Sequence, residues 1–458
     1  MLVRKVASAI TAVAVVAGLT VSTATGLWPA WVGALTTAAT ARTASTQQGG
    51  PGVVPVLPGA LSAPDAAPSA APADIAPISV AQPTNMTPPM GWNGFNRFHL
   101  GVNAAMVEAE ARALVTSGMR AVGYTYVNLD GGWDLRRRSP AGELVADPAK
   151  FPHGIRPVAD YVHSLGLKFG IYTSAGTQNC AATSAGSFAH YRQDATTFAS
   201  WGVDYLKLDW CSIPYFDYPR MTHREVAELL ATQMRSALSS TGRSIVYDVN
   251  DWTNDNPSSW ARGLAGLWRT APDSQDRYSS MLWNFTHTVS QFRQAGPGGW
   301  NDPDMLEIGN GGMTATEYRS QLSLWAEMAA PLIAGNDLSQ MSALTREILT
   351  NQAVIAVDQD PLGRQGYPVA SAGGHWVLVK PLANGDRALA LFNQTGAEAT
   401  ISTSLAQVGM GGTGQYMLLD LWTGNALETT GAISAIVPPH GVVFYAVGKS
   451  VARPFTTG

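Results

Sequence analysis

The chain has 458 residues, which is too long for one small domain and predicts two or three units with ample material for a large core. Only 14% of the residues are charged and the formal net charge is -4, so neither a nucleic acid nor an acidic surface is an expected partner. A weakly charged chain with 14 tryptophans suits an uncharged polar ligand such as a sugar, although aromatic residues more often belong to a core.

The N-terminal segment, residues 1–41, has the layout of a secretory signal peptide. Two basic residues precede an apolar run from Val6 to Val21, and small residues follow. Cleavage near Ala24 and cleavage after the second apolar stretch, at 39–41, are both open. An uncleaved membrane anchor is the alternative, but the run is shorter than the ~20 residues that a span needs. We therefore expect a secreted, extracellular protein with no stable membrane association after cleavage.

Residues 42–83 form a Pro/Ala-rich segment in which charged and aromatic side chains are almost missing. A segment of this composition has nothing with which to bury a core. We expect a flexible linker or a pro-region here.

Residues 84–365 alternate short strand-like runs that end in polar residues with helical stretches, a pattern typical of βα units. The helical stretches include 103–117 and 155–165, where apolar residues recur at steps of three and four. Eight strand-like runs occur: Met90–Phe95, Tyr124–Asp130, Lys168–Thr173, Tyr205–Asp209, Ser244–Val249, Leu267–Ala271, Trp300–Leu306 and Pro331–Asn336. Eight such units over about 280 residues predict an α/β fold, a (β/α)8 TIM barrel with catalytic function.

Residues 366–458 change to alternating apolar and polar residues. Asn384–Gly385 lies between two such runs, which is a strong hairpin signal. The predicted strands are Trp376–Pro381, Arg387–Asn393, Tyr416–Leu421, Ile433–Val437 and Val442–Val447. They predict a C-terminal antiparallel β-sandwich.

Asp209 ends a short apolar strand, and a carboxylate is costly there unless it is hydrogen-bonded or used in catalysis. Barrel enzymes carry their catalytic groups at this end of the strands. An Asp that merely caps the next loop is the alternative that this stretch leaves open.

Other predicted barrel strands also end in polar, acidic or aromatic residues, and converging strands would bring these residues to one mouth: Asp130, Trp133, Tyr172, Lys207, Asp251, Trp252, Arg269, Asp273, Asp302, Asp304, Asn336 and Asp337. Hydrolysis of glycosidic bonds requires such a cleft, because two carboxyl groups serve as nucleophile and acid/base while aromatic rings face the sugar. The expected partner is therefore an oligosaccharide or glycoside substrate.

We expect neither a metal nor a cofactor. The sequence has no His-x-x-x-His or Cys-x-x-Cys spacing. Asp302-Pro-Asp304 alone is a weak indication of a hard cation.

Eight short blocks follow one another between residues 84 and 450: Thr87–Asn93, Tyr126–Asp130, Phe151–Ile155, Gly170–Tyr172, Gly202–Asp209, Trp268–Thr270, Gly299–Leu306 and Ala356–Leu362. In content and order they resemble the signature blocks of glycoside hydrolase family 27, the melibiase-type α-galactosidases. The resemblance leaves out the predicted signal peptide and linker. It implies a retaining mechanism on a (β/α)8 barrel that is followed by a β-sandwich.

The resemblance also implies the catalytic residues. Asp209, in the Lys-x-Asp block, is the implied nucleophile that forms a glycosyl-enzyme, and Asp273, four residues after Arg269, is the implied acid/base. Lys207 lies on the same face of its strand as Asp209, where its ammonium can keep that carboxylate ionised and donate to a sugar hydroxyl. Arg269 can hold the 2-OH region or the neighbours of Asp273.

Further residues match positions that shape the sugar pocket in the family: Trp92, Asp130, Tyr172, Asp304 and Met305. Phe95 stands where the family often has a sugar-stacking Trp, and Asp251 lies in a loop that departs from the family's Cys-containing block. Two cysteines in an exported chain, Cys180 and Cys211, most simply form one disulfide, and they match the family's bridge between the ends of strands three and four.

Gly131 is the main departure in the pocket, because the family usually has a second acid there that holds the galactose 4-OH or 6-OH. We predict a secreted retaining exo-glycosidase that hydrolyses terminal α-D-galactosyl or related bonds. The departure leaves open a different sugar with the same mechanism, either an isomaltose-type α-glucan or a β-L-arabinopyranoside. A catalytically inactive carbohydrate-binding barrel is a remoter alternative.

Overall fold

The computed structural model describes residues 86–252, 255–411 and 414–449. The predicted signal peptide, its cleavage site and the predicted linker lie outside the described residues. Among the helices described, none is both long and apolar enough to cross a membrane.

The first part of the described chain is a closed parallel barrel. Its strands are β1 (Met90–Asn93), β2 (Tyr126–Leu129), β3 (Lys168–Ser174), β4 (Tyr205–Asp209), β5 (Val246–Asn250), β6 (Leu267–Arg269), β7 (Trp300–Asp302) and β8 (Leu332–Ala334). They form one sheet in the order β7-β6-β5-β4-β3-β2-β1-β8, and a parallel bridge between Leu306 and Ala334 joins its two edges. The predicted (β/α)8 fold is confirmed.

Nine helices lie between or after these strands in the described residues: α1 (Phe95–Phe98), α2 (Ala104–Thr116), α3 (Arg156–Ser164), α4 (Tyr191–Ser200), α5 (His223–Ser240), α6 (Tyr278–Thr288), α7 (Ala315–Glu327), α8 (Ala343–Leu349) and α9 (Gln352–Asp358). Local sequence explains where several of them begin. The Asn103 side chain caps α2, while Thr222 with Glu225 and Thr314 with Glu317 form capping boxes at α5 and α7.

Alternation along β4 explains why polar groups collect inside the barrel mouth. Leu206 and Leu208 are fully buried in the hydrophobic core. Lys207 and Asp209 alternate with them and so face the barrel interior. The parallel register then sets Asp209 beside Asn250 of β5.

The second part is an antiparallel sandwich, as predicted. Its strands are β9 (Tyr367–Ala372), β10 (His375–Pro381), β11 (Arg387–Asn393), β12 (Ala399–Ser404), β13 (Tyr416–Asp420), β14 (Ala426–Thr429), β15 (Ala432–Val437) and β16 (Val442–Gly448). One sheet has the order β14-β13-β16-β11-β10-β9, and β12 pairs with β15 in the other. The core between the sheets includes Val377, Val379, Leu389 and Leu391.

Helix α7 joins the two parts, because it contacts both β8 of the barrel and β10, β11 and β16 of the sandwich. Polar contacts fix the same junction. The indole of Trp422 donates to Ser323 Oγ at 2.9 Å, and Ser320 Oγ donates to the His440 carbonyl at 2.7 Å. The sandwich therefore covers one side of the (β/α)8 barrel.

Candidate active site

A cavity of about 220 Å³ lies at the C-terminal mouth of the barrel. Its wall is formed by strand ends and the loops that follow: Phe95, Asn96, Leu100, Asp130, Gly131, Tyr172, Asn179, Cys180, Ala181, Lys207, Asp209, Trp210, Cys211, Asn250, Asp251, Trp252, Arg269, Asp273, Asp304 and Met305. Asp130, Tyr172 and Asp304 are buried, whereas Trp252 is 46% exposed and the side chain of Asp273 is 76% exposed. One end of the cavity is thus closed and the other opens to solvent.

Asp209 lies at the end of β4 and is held by its neighbour in register. Asn250 Nδ2 donates to Asp209 Oδ1 at 2.6 Å. The other carboxylate oxygen, Oδ2, lies 3.1 Å from Cys180 Sγ. The acid is therefore oriented by Asn250 of β5, and the disulfide sulfur packs against its other oxygen.

Asp130 at the closed end is engaged on both oxygens. Its Oδ2 accepts from Lys207 Nζ at 2.8 Å and from Asn93 Nδ2 at 2.7 Å, while Oδ1 accepts from Gly131 N at 2.7 Å. Lys207 also lies over the ring of Tyr172, 5.4 Å from its centroid. These contacts form a charged, hydrogen-bonded end wall that can bind hydroxyl groups.

Arg269 ties together an acid from the loop after β6 with acids from the end of β7 and the loop that follows it. It donates to Asp273 Oδ1 at 3.0 Å and to Asp304 Oδ1 at 2.8 Å, and it lies 3.8 Å from Asp302 Oδ2. Asp304 adopts a φ of 80°, a conformation that side chains rarely tolerate and that is found more often at functional sites. Arg269 is buried, so it fixes Asp273 from inside the wall.

The charges in the cavity act on one another. Burial would lower the pKa of Lys207, but Asp130 and Asp209 outweigh it and raise that pKa, which keeps the ammonium charged. Burial raises the pKa of Asp209, against the opposing effect of Lys207. Desolvation also works to raise the pKa of Asp273, but Arg269 and Lys207 outweigh it and hold this pKa below its ordinary value.

Cys180 and Cys211 form the predicted disulfide, with 5.0 Å between their Cα atoms. The loops after β3 and β4 approach so closely that a Cβ at Gly176 would overlap the carbonyl oxygens of Cys211 and Ser212. In the described part of the chain, one cluster gathers metal-type ligand atoms, and it consists of these cysteines and Asp209. Disulfide sulfurs do not offer thiolates, so this cluster is a poor metal site.

The cavity brings together most of the site residues named from the sequence, but Trp133, Asp302, Asn336 and Asp337, which were also expected at the mouth, do not line it. Asp209, Asp273, Phe95, Asp130, Tyr172, Lys207, Asp251, Arg269, Asp304, Met305, Cys180 and Cys211 all line it. Trp92 does not line the cavity: it is fully buried, and its indole donates to the Asn336 carbonyl at 2.8 Å. Asn93 contacts Asp130 from the barrel interior, so Trp92, its neighbour in the strand, faces the opposite side.

Other residues of the wall were not singled out from the sequence: Asn96, Leu100, Asn179, Ala181, Trp210 and Asn250. Asn250 could have been found, because it is the last residue of β5 and so shares the mouth with Asp209. Asn96 and Asn179 lie in α1 and in a loop after β3, where no periodicity marks them.

Gly131 leaves room beside the closed end. A Cβ built there would lie 3.5 Å from Cε1 of Tyr172, which is ordinary van der Waals contact. The backbone at this position would therefore accept a side chain, and its absence enlarges the cavity.

Comparisons with known proteins cover both parts of the chain. A family model described as alpha galactosidase A matches residues 87–360, and one described as alpha galactosidase C-terminal beta sandwich domain matches residues 372–447. An α-galactosidase of Oryza sativa subsp. japonica is 43% identical over 359 residues, which cover 78% of this chain and 84% of the relative.

Solved structures agree with the described fold. α-Galactosidase I from Mortierella vinacea has a TM-score of 0.77 at 32% identity, covering 81% of this chain and 99% of that one. A β-L-arabinopyranosidase from Geobacillus stearothermophilus has a TM-score of 0.71 at 24% identity, covering 81% and 98% respectively, a likeness of fold alone.

Proposed function

The chain belongs to the melibiase-type α-galactosidase family, glycoside hydrolase family 27, and on that premise we propose that it is a secreted retaining exo-α-galactosidase. Membership in the family makes it a glycoside hydrolase. The observation that supports the finer proposal is the arrangement of Asp209 and Asp273 in the wall of one cavity that is closed beyond them. A cavity closed at one end suits a terminal sugar unit.

In the proposed first step, a carboxylate oxygen of Asp209 attacks the anomeric carbon of the bound galactosyl unit. The bond from this carbon to the glycosidic oxygen breaks, and Asp273 gives its proton to that oxygen as the leaving group departs. In the second step Asp273 takes a proton from water, which attacks the same carbon and releases Asp209 as a carboxylate. Two displacements at one carbon retain the anomeric configuration.

The other wall residues have roles in this scheme. Asn250 keeps Asp209 aligned, and Lys207 with Asp130 binds hydroxyl groups at the closed end. The exposed side chain of Asp273 can turn toward the leaving group at the open end. Because Arg269 lowers its pKa, we expect bound sugar to separate the two groups so that Asp273 can carry the proton that it donates.

Replacement of Asp209 tests the nucleophile. Asp209→Asn should lower kcat for aryl α-galactosides by roughly 10³-fold or more, because no carboxylate remains to capture the anomeric carbon. Asp217→Asn, on the exposed turn after β4, is the matched control and should keep wild-type activity. With the wild type, a slow fluorosugar substrate should label the peptide that contains residue 209, and proton NMR should show the α-anomer as the first product. Release of the β-anomer first would refute the retaining mechanism.

The space at Gly131 favours one alternative, a different terminal sugar hydrolysed by the same mechanism. An isomaltose-type α-glucan or a β-L-arabinopyranoside would then be the better substrate. A panel of 4-nitrophenyl glycosides separates these possibilities by kcat/KM. The inactive binding barrel predicted as the remoter alternative would release no nitrophenol from any of them.

Secretion is proposed from the N-terminal sequence alone. The test expresses the full chain and a chain without residues 1–41 in a secretion-competent host. Activity in the culture medium for the full chain, and in the cells for the shortened chain, would support secretion. Equal activity inside cells for both chains would contradict it.

A further inference from the structure

Asp273 is not part of a barrel strand, so its position depends on the loop that follows β6. The next residue, Ser274, is buried and anchored at two points. Its backbone N donates to Asp304 Oδ2 at 2.6 Å, and its hydroxyl lies 3.1 Å from Glu307 Oε1 and 3.2 Å from the Met305 carbonyl. The backbone next to Asp273 is therefore held by groups from the loop after β7.

Glu307 is the centre of this arrangement. Only 2% of it is exposed, and its Oε1 accepts from Asn96 of α1 as well as facing Ser274. Its Oε2 accepts from Asn310 at 2.7 Å, and Asn310 also approaches the Gly335 carbonyl after β8 at 3.4 Å. One carboxyl group thus links segments that follow four strands of the barrel.

Burial of Glu307 among these contacts is unfavourable for the stability of the fold. Its hydrogen-bond donors are amides and a hydroxyl, and its acidic neighbour Asp304 disfavours a second negative charge. Desolvation raises the pKa of Glu307 to about 7. A buried acid without a facing cation is expensive unless its position is used.

One of the groups that Glu307 holds lines the active-site cavity, and another adjoins it in the chain. Asn96 lines the cavity, and Ser274 directly follows Asp273 in the chain. A shift of Glu307 would therefore reach Asp273 through one peptide bond, while Asp209 is held separately by Asn250. The two catalytic acids depend on different supports.

We propose that Glu307 is a positioning residue for proton transfer: through Ser274 it sets the Asp273 carboxyl where it can reach the glycosidic oxygen. This inference rests on the proposed role of Asp273 as acid/base. A group that acts through the acid should matter in proportion to the protonation that the leaving group needs, whereas a merely structural tie should affect all substrates alike.

The test compares kcat/KM for a dinitrophenyl α-galactoside, whose leaving group needs little protonation, with that for a galactosyl disaccharide. Glu307→Gln keeps the side-chain size but cannot accept hydrogen bonds on both sides. We expect about a 10-fold or larger loss for the disaccharide and less than about a 2-fold loss for the aryl substrate. Ser274→Ala removes only the hydroxyl and should show the same selectivity, which keeps the test valid if Glu307→Gln folds poorly.

Two further variants separate the possible outcomes. Glu110→Gln removes another buried glutamate, which accepts from the Leu338 backbone at 2.7 Å, and should leave the substrate ratio unchanged. Asp273→Ala should lower kcat/KM for the disaccharide relative to that for the aryl substrate by the largest factor, roughly 10² to 10⁴-fold. The positioning role is refuted if Asp273→Ala lowers kcat/KM mainly for the disaccharide while both Glu307→Gln and Ser274→Ala lower kcat/KM equally for the two substrates. If Asp273→Ala itself is unselective, the acid/base assignment in the proposed function is refuted as well.

Discussion

Gly131 removes a side chain from the closed end of the cavity, next to an acid that is already fully engaged. Asp130 accepts hydrogen bonds from Lys207, Asn93 and the Gly131 backbone. A second acid would offer sugar hydroxyls acceptors that are not shared with the protein. Since a Cβ fits there at 3.5 Å from Tyr172, the second acid can be tested without rebuilding the wall.

Gly131→Asp should raise kcat/KM for α-galactosides relative to other glycosides by up to ~10 to 100-fold, if the restored hydrogen bond contributes ~1.5 to 3 kcal/mol. Gly396→Asp adds the same charge on an exposed sandwich loop, where the added Cβ meets nothing within 4 Å, and should leave the ratio unchanged. The measurement is the ratio across the nitrophenyl glycoside panel. A ratio that stays constant or falls for Gly131→Asp would mean that the pocket is built for another sugar.

At the scale of elements, the disulfide joins the loops after β3 and β4 directly beside the nucleophile. The cysteines are 31 residues apart in sequence, for which the chain-entropy model gives about 3 to 4 kcal/mol of stabilisation. Cys180→Ser with Cys211→Ser should lower the free energy of unfolding by about that amount, measured by denaturant titration.

The same double variant should also lower kcat, since Asp209 Oδ2 lies against Cys180. Ser212→Ala, in the same loop, leaves the bridge intact and serves as control. Unchanged stability and kcat in the double variant would show that the loops are held by their backbone contacts alone.

Short apolar runs that end in polar residues predict the barrel strands, most of which are buried on both faces, and apolar periodicity predicts the amphipathic helices. All eight barrel strands lie within or close to the predicted runs. The predicted helical ranges 103–117 and 155–165 coincide with α2 and α3 together with their capping residues. The strands β9, β12 and β14 could not be predicted, because β9 and β14 have no buried residue and β12 has one large apolar side chain, Ile401. Their strand form depends on pairing with distant neighbours.

The gathering of these acids at one mouth could be predicted because strand ends converge in a barrel, a property of topology that the sequence order already contains. Contacts between loops could not, since Glu307, Asn96 and Ser274 are far apart in sequence and meet only after the barrel closes. Trp92 shows the opposite case. Period-two alternation with Asn93 places it outside the cavity, whereas its match to the family pocket predicts the opposite.

For the whole molecule, a buried cluster of titratable groups lies where the barrel helices meet the sandwich. Lys380 of β10 donates to the Ala326 carbonyl at 2.9 Å, and Glu327 and Asp358 are both fully buried near it. Burial raises the pKa of each acid to about 8, against the opposing effect of Lys380. Folding therefore favours the protonated acids.

This cluster should make the protein less stable as pH rises. The unfolded chain ionises Glu327 near its ordinary value of 4.5, while the folded chain keeps the proton until about pH 8. The contribution of Glu327 to the free energy of unfolding is present in full below about pH 4.5 and is lost as pH rises toward about 8. Glu327→Gln removes this titration, so its free energy of unfolding should fall less steeply over the same range.

Denaturant titrations at several pH values across this interval provide the measurement. Glu317→Gln, in the capping box at the start of the same helix, is the control, because the pKa of Glu317 is lowered and its effect has the opposite sign. Parallel curves for the wild type and Glu327→Gln would contradict the assignment.

The shared helix α7 has a consequence for how the protein is made. A ribosome releases the chain from its N-terminus, so α7 emerges before any strand of the sandwich that will cover it. Until β10, β11 and β16 arrive, the side of α7 that they later cover faces water, and we expect chaperones to bind the nascent barrel there. We therefore expect chaperones to release the nascent enzyme only after its last strands, including β16, have been synthesised.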